Sequence, residues 1–192
     1  SAFTGEHVGE PRLLICLYDD PLLHVDIKFL TPAEFDSRVE NPAILYDANQ
    51  QLKDILLKTE AKYPFPDYQW IEDRFWTWIH YAIAKIGRGE LFEALDFLSS
   101  IRMIVLGPLV QIKNGNLPRG VRKVEMSVAA DDLNKLIRTT ASYERSSIIK
   151  ALEACIELYC ELRKQLFSED IKLRGQAELK IIEYLQIIKE RK

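Results

Sequence analysis

A single carboxylate near the start of the chain, Asp26, lies in a run whose pattern is typical of a β-strand. Asp26 lies in the run His24-Val25-Asp26-Ile27-Lys28, where apolar and polar residues alternate as in a β-strand. Successive strand side chains point to opposite faces. Asp26 is therefore expected to share a polar face with His24 and Lys28. A lone aspartate on the polar face of a strand is most often a solvated surface residue.

Other reactive side chains show no functional spacing. Asp19 and Asp20 precede Pro21, which is typical of a tight turn. His24 and His80 have no partner at the spacing of a metal motif such as HExxH, so both are left unassigned. The cysteines have no CxxC spacing, which favours packing over a zinc site or a disulfide framework. They are Cys16, Cys155 and Cys160.

A second candidate surface is an aromatic helix in the middle of the chain, which contains Trp70, Trp76, Trp78 and Tyr81. Trp78 and Tyr81 could line a substrate cleft and stack on a sugar or a base. The ordinary alternative places Trp78 in the core and leaves Trp76 partly exposed. Lys85 follows Tyr81 by about one helical turn and could reach a triphosphate, the alternative being a surface lysine.

The elements that must position Asp26 are typical of an α/β domain. Residues 12–30 predict a β-hairpin whose turn contains Asp19, Asp20 and Pro21. Thr31, Pro32 and Glu34 form a capping-box pattern, which predicts a helix to about Val39. Residues 44–47 predict one more short strand, and residues 50–62 predict a helix.

The elements that must position the aromatic residues are helical. From residue 67 onward, apolar residues recur every three or four positions. This period predicts long helices over residues 67–86, 90–113 and 143–167, and a last helix ending near residue 188. A loop at residues 114–123 and a short helix near residues 131–139 lie between the second and third. Four long amphipathic helices with short connections favour an antiparallel bundle. The predicted fold class is α+β, mainly α.

Composition excludes several classes of protein. Apolar residues make up 47% of the chain and charged residues 29%, as in an ordinary globular protein. No run of about 20 uncharged apolar residues predicts a membrane span, and no signal peptide is evident, so a cytoplasmic location is expected. The net charge is −3, with eleven acids and five bases in residues 1–60 and eighteen acids and twenty-one bases beyond them. Without a concentrated basic face, nucleic-acid binding is disfavoured.

The sequence resembles a known family in three runs: LLICLYDDPLLHVDIKFLTPAEF, ILYD and WIEDRFWTWIHYAIAKIGRGELFEALDFLSSIRMIVLGPL. It is similar to the aminoglycoside-adenylyltransferase-like branch of the polymerase-β-type nucleotidyltransferase superfamily, over about residues 12–167. The best-matching parts are the strand around Asp26 and the helix pair with Trp78, Tyr81, Gly89-Glu90 and Glu93-Ala94-Leu95. The resemblance is closest to bacterial members whose substrates are not assigned.

The resemblance implies metal-dependent transfer of a nucleoside monophosphate from an NTP to a hydroxyl of a small-molecule acceptor. Mg²⁺ would be held by a D-x-D or D-x-E pair after a Gly-Ser motif and by a third carboxylate on a later strand. Asp26 matches that third position, as metal ligand and catalytic residue. Residues 1–49 would be the C-terminal part of the catalytic domain, and residues 50–192 the helical substrate-binding domain. Trp78 and Tyr81 would bind the acceptor, and Lys85 the nucleotide.

The chain also departs from the family pattern. It contains no Gly-Ser dipeptide and no D-x-D or D-x-E pair on a strand after a glycine turn. We therefore expect it to start inside the catalytic domain and, alone, not to transfer nucleotides, because one carboxylate cannot assemble a two-metal site. The alternative function is a non-catalytic helical module for binding or dimerisation, since amphipathic helices would suit a homodimer.

Overall fold

The computed structural model describes residues 2–4 and 12–191. The chain divides into two compact units, Ser1–Pro64 and Phe65–Lys192. Both contain helices, and the described strands all lie in the first unit. The predicted fold class, α+β and mainly α, is confirmed.

The first unit contains a three-stranded antiparallel sheet in the order β1-β2-β3. Its strands are β1 (Ala2–Thr4), β2 (Leu13–Tyr18) and β3 (Leu23–Lys28). Strands β2 and β3 form the predicted hairpin, with Cys16 opposite Val25 and Ile15 opposite Asp26. Cys16 is buried and Val25 half-buried, whereas His24, Asp26 and Lys28 are exposed. The predicted alternation along β3 is therefore confirmed.

Two helices follow the sheet, α1 (Pro32–Asp36) and α2 (Gln51–Lys58). Both are shorter than predicted. The guanidinium of Arg38 donates to the hydroxyl and the carbonyl of Thr59, at 2.6 and 2.7 Å, and so holds the end of α2 in the first unit. The structural boundary therefore falls after Pro64, whereas the sequence placed a boundary after residue 49.

The short strand predicted at residues 44–47 is wrong, because these residues form neither strand nor helix. Leu45 is 97% exposed and Tyr46 82% exposed, and only Ile44 of this apolar run is half-buried. Asp47 instead caps α2, since its carboxylate accepts from the backbone N–H groups of Leu52 and Lys53, both at 3.0 Å. An apolar run without a neighbouring strand to pair with gains no ladder hydrogen bonds.

The capping box of α1 predicts an acid-sensitive helix start. Hydrogen bonds from the backbone N–H and hydroxyl of Thr31, and then from Arg12, lower the pKa of Glu34 from 4.5 to about 2. The ionised carboxylate therefore stabilises α1 fully above about pH 4.5, and this contribution is lost as the pH falls through about 2. We expect an NMR titration of the Glu34 carboxyl to show that low midpoint. Thr31→Ala should move it only part of the way back, because the backbone donor remains, and a wild-type midpoint near 4.5 would contradict the assignment.

The second unit is helical throughout its described elements. Its two long uninterrupted helices are α3 (Tyr68–Arg88) and α8 (Arg145–Leu166). The remaining helices are α4 (Leu91–Ile101), α5 (Gly107–Lys113), α6 (Val124–Ser127), α7 (Ala130–Arg138) and α9 (Gly175–Glu190). The bounds of the predicted long helices lie within a few residues of those observed, whereas α6 lies between the predicted loop at residues 114–123 and the predicted short helix, where no element was predicted.

Helices α3, α8 and α9 run side by side. Arg145 at the start of α8 donates to the carbonyl of Ile188 at the end of α9, so these two helices are antiparallel. Arg174, the N-cap of α9, pairs with Asp73 near the start of α3 at 2.7 Å, and His80 stacks on Tyr184 further along both helices. Helices α3 and α9 are therefore parallel to each other, so the predicted antiparallel order does not hold for that pair.

The helix predicted over residues 90–113 is interrupted by a π-helical turn, Arg102–Leu106. The N–H of Gly107 donates to the carbonyl of Arg102, five residues earlier. Pro108 follows, and it has no N–H with which to continue the α-helical ladder. Single π-helical turns are rare and often occur at functional sites.

One described helical stretch, Leu91–Lys113, is long and apolar enough to cross a membrane by length and composition. Half of its most apolar part is buried inside the unit, and a single helix of this kind is weak evidence for a membrane span.

Candidate functional site

Asp26 has the exposure that a ligand-binding carboxylate needs. Its side chain is 56% exposed, and one oxygen lies 2.9 Å from Nε2 of His24. Both residues project from the polar face of β3, where Asp26 is opposite Ile15 of β2. His24, which the sequence analysis left unassigned, is therefore the polar neighbour of Asp26. The alternation of strand side chains already implied this, because the two residues are two positions apart.

Asp26 does not form a complete metal site by itself. Among residues 2–4 and 12–191, no group of three His, Cys, Asp or Glu side chains is arranged to hold a metal ion. A carboxylate oxygen suits Mg²⁺, which also needs several further oxygen ligands. Asp26 can therefore supply one ligand, and the rest of a catalytic metal site has to come from other groups.

Two tryptophans of α3, Trp76 and Trp78, differ in their burial. Trp76 is 1% exposed, and its ring nitrogen donates to Glu72 at 3.4 Å. Trp78 is only half-buried and packs edge-on against Trp70. The alternative in which Trp76 is partly exposed is therefore wrong, and Trp78 is partly buried against the core rather than fully inside it. The physical reason is that α3 contacts α4, α8 and α9, so its buried face is wider than a single stripe.

Tyr81 and Lys85 lie together, as their spacing predicted. Tyr81 is 42% exposed and packs against Phe97, and the Lys85 ammonium lies 4.9 Å from the centre of its ring. The Lys85 side chain is only 12% exposed. The helical unit thus presents Trp78, Tyr81 and Lys85 on one helix, while Asp26 belongs to the other unit.

Lys85 has acidic partners that the sequence analysis did not anticipate. Its ammonium pairs with Glu90 at 2.6 Å and also with Glu93, and Arg88 shares Glu90 at 2.5 Å. The hydrogen bonds that Lys85 donates to Glu90 and Glu93 raise its pKa. The helix reversal at Gly89, in the left-handed conformation, brings the two carboxylates back to the lysine. A triphosphate at Lys85 would have to compete with both.

A buried carboxylate, Glu72, was missed by the sequence analysis. It is fully buried and accepts hydrogen bonds from Trp76, from the hydroxyl of Tyr159 at 2.5 Å and from the backbone N–H of Arg174 at 2.8 Å. Arg163 approaches it at 3.3 Å and also donates to Glu178 at 2.9 Å. Burial, followed by the bond to Glu72, raises the pKa of Tyr159. The Glu72 cluster joins α3 to α8 and to the start of α9.

The cysteines fit the predicted packing role. Cys16 and Cys155 are buried, and Cys160 is half-buried. Burial raises the pKa of the Cys155 thiol to about 12 and that of Cys160 to about 11, so neither is a thiolate at neutral pH.

No protein-family model matches the chain, and no curated protein sequence is detectably similar to it.

Proposed function

We propose that this chain belongs to a metal-dependent nucleotidyltransferase that transfers a nucleoside monophosphate from an NTP to the hydroxyl of a small-molecule acceptor. The observation that carries the proposal is Asp26, an exposed carboxylate on the polar face of a strand in an antiparallel sheet. The mainly helical second unit agrees with the acceptor-binding domain that the sequence resemblance implies. A bacterial, cytoplasmic origin is part of the same proposal.

The residues have separate roles in this proposal. Asp26 would hold Mg²⁺, which supplies charge neutralisation at the phosphoryl group when bound. Trp78 and Tyr81, both partly exposed on α3, would stack on the acceptor. Lys85 would contact the nucleotide after exchanging one of its carboxylate partners for phosphate.

The test is metal-dependent nucleotidyl transfer by the native gene product that contains this chain. Asp26→Asn preserves the side-chain shape and removes the charge, so activity should fall at least about tenfold, because loss of even an outer-shell partner of a metal ligand costs about that much. Asp54→Asn is the matched control, because Asp54 is an exposed acid of the same unit, on α2, and should leave activity unchanged. The chain as printed should be inactive alone, since it offers one candidate ligand.

Two outcomes would contradict the proposed function. Full activity of Asp26→Asn would show that Asp26 is not a metal ligand. Absence of metal-dependent transfer from the native gene product would favour the alternative, a non-catalytic binding or dimerisation module. Sedimentation analysis would then determine whether the chain forms a homodimer.

A further inference from the structure

The helical unit contains a concentration of positive charge that the proposed function does not use. Residues 114–130 contain three bases, Arg119, Arg122 and Lys123, and one acid, Glu125, whereas the whole chain has a net charge of −3. These bases lie in the segment that joins α5 to α6 and at the start of α6. A local excess of positive charge in an acidic protein is suited to an anionic ligand.

All three bases line one cavity of about 230 Å³. Asn116, Ser127 and Gln111 contribute polar atoms to its wall, and Glu125 does not line it. We call this the 116–127 cavity. Its volume is below the roughly 300–1,000 Å³ of a cavity that encloses a drug-sized ligand. It is therefore suited to one small charged group rather than to a whole nucleotide.

Arg122 and Lys123 differ in their surroundings from several other bases of the helical unit. Within the described parts of the chain, neither takes part in an ion pair, although both are exposed at the cavity. By contrast, Lys113 pairs with Asp132 at 2.6 Å, and Lys135 pairs with Glu161 at 2.8 Å. Two cations beside a concave surface without an acidic partner can be neutralised by a bound anion.

The backbone that carries these cations is held in place. The buried amide of Gln111 donates to the carbonyl of Arg122 at 3.0 Å, and the hydroxyl of Ser127 donates to the carbonyl of Lys123 at 2.9 Å. Lys123 has φ +60, a left-handed conformation that is uncommon for a residue other than glycine. Strained backbone of this kind is concentrated at ligand sites, and a fixed backbone reduces the entropy lost on binding.

We propose that the 116–127 cavity binds the phosphate or diphosphate group of a phosphorylated small molecule. Arg122 offers a planar set of donors that matches two phosphate oxygens, and Lys123 adds a compact charge. The amide of Asn116 at the same wall donates one N–H to the carbonyl of Ser127 at 2.9 Å and has a second N–H to offer a phosphate oxygen. The proposal does not depend on Asp26, so its outcome is independent of the nucleotidyltransferase assignment.

The direct test is calorimetric titration of the full chain with inorganic pyrophosphate at fixed ionic strength in a phosphate-free buffer. The double variant Arg122→Gln with Lys123→Gln should bind pyrophosphate at least about tenfold more weakly than the wild type, because two charge-assisted contacts are lost. Titrations with inorganic phosphate and ATP identify the ligand. Equal affinity for pyrophosphate and ATP indicates recognition of the phosphates alone. Tighter ATP binding that the cavity variant loses indicates a nucleotide whose phosphates occupy the 116–127 cavity, whereas tighter ATP binding that the cavity variant retains is binding elsewhere and counts against the cavity as its site.

The matched control removes the same two charges elsewhere in the helical unit. Lys150→Gln with Lys180→Gln changes exposed lysines of α8 and α9 and should leave pyrophosphate affinity within about twofold of the wild type. Circular dichroism checks that both double variants fold. If the cavity variant does not fold, amide chemical shifts of the wild-type chain provide the test, and pyrophosphate should shift residues 116, 122, 123 and 127 selectively.

Three results would overturn the proposal. The cavity variant could bind pyrophosphate as well as the wild type, or the control could lose as much affinity as the cavity variant. Alternatively, pyrophosphate and ATP could fail to saturate the protein while a DNA or RNA duplex binds with a steep dependence on salt. That result would assign the cations to a nucleic-acid backbone.

Discussion

Replacement of Glu72 by alanine is expected to lower the free energy of unfolding by about 3–5 kcal/mol, the range for breaking a buried ion pair from one side. The carboxylate is fully buried and accepts from Trp76, Tyr159 and the backbone of Arg174. Alanine would leave those donors without an acceptor. It would also leave Arg163, whose side chain is 13% exposed, with Glu178 as its one remaining carboxylate partner among those described. Urea denaturation followed by circular dichroism measures the loss.

The size of this effect follows from where Glu72 lies. Its partners belong to α3, to α8 and to the residue that caps α9, so one carboxylate joins three helices of the same unit. An unpaired buried donor costs about 1–3 kcal/mol, more than a typical hydrogen bond contributes. A loss of this size is a large part of the roughly 5–15 kcal/mol that stabilises a domain.

Two variants calibrate the Glu72 measurement. Glu157→Ala removes an acid that pairs with Arg138 at 3.0 Å, with both side chains 63% exposed, and should change stability by less than about 1 kcal/mol. Glu72→Gln keeps an oxygen acceptor and the side-chain size, so its loss should fall between those of the two alanine variants. If Glu72→Ala destabilises the chain no more than Glu157→Ala does, the Glu72 cluster is not a stabilising element.

The hairpin and the first helix could be predicted from sequence because their signals are local. The polar alternation along β3 and the Thr31 to Glu34 capping box each depend on residues a few positions apart. The strand predicted at residues 44–47 was wrong because a strand also depends on residues far away in the sequence. A strand needs a partner, and neither Leu45 nor Tyr46 has apolar surroundings in which to be buried.

The helices of the second unit were also predictable, but which side chains of α3 are buried was not. A stripe through Ile71 and Phe75 can continue to Trp78 or to Ile79 with nearly the same helical period. The choice depends on which side α8 and α9 cover, and those helices are more than sixty residues further along the chain. Ile79 is fully buried, and Trp78 is left at the edge of the core.

The candidate site residues also divide into one that local sequence predicted and others whose partners depend on the fold. The polar position of Asp26 follows from strand alternation and was predicted. The partners of Lys85 were not, because Glu90 and Glu93 reach it only through the helix reversal at Gly89. The burial of Glu72 could not be predicted, because a single acid beside an apolar stripe is typical of a surface residue. Its partners Tyr159 and Arg163 lie on α8, far along the chain.

Replacement of Gly107 by alanine is expected to destabilise the chain by about 1–3 kcal/mol, the range for overpacking a well-filled interior. A Cβ atom on Gly107 would lie 2.7 Å from the carbonyl oxygen of Gly120 and 2.8 Å from that of Arg102. Both are backbone atoms, which cannot rotate away as a flexible side chain can. Thermal and urea denaturation measure the change.

Destabilisation by Gly107→Ala would be opposite to the usual effect, because replacing glycine by alanine in a helix normally stabilises by up to about 1 kcal/mol. Gly175 at the start of α9 is the matched control, since a Cβ there meets nothing within 4 Å, and Gly175→Ala should be neutral or stabilising. Gly107 also fixes the approach of Gly120 to the π-helical turn, so Gly107→Ala should displace the segment that carries Arg122 and weaken pyrophosphate binding at the 116–127 cavity. Two alanine variants of equal stability and equal pyrophosphate affinity would show that the close approach of Gly107 and Gly120 supports neither the fold nor the cavity.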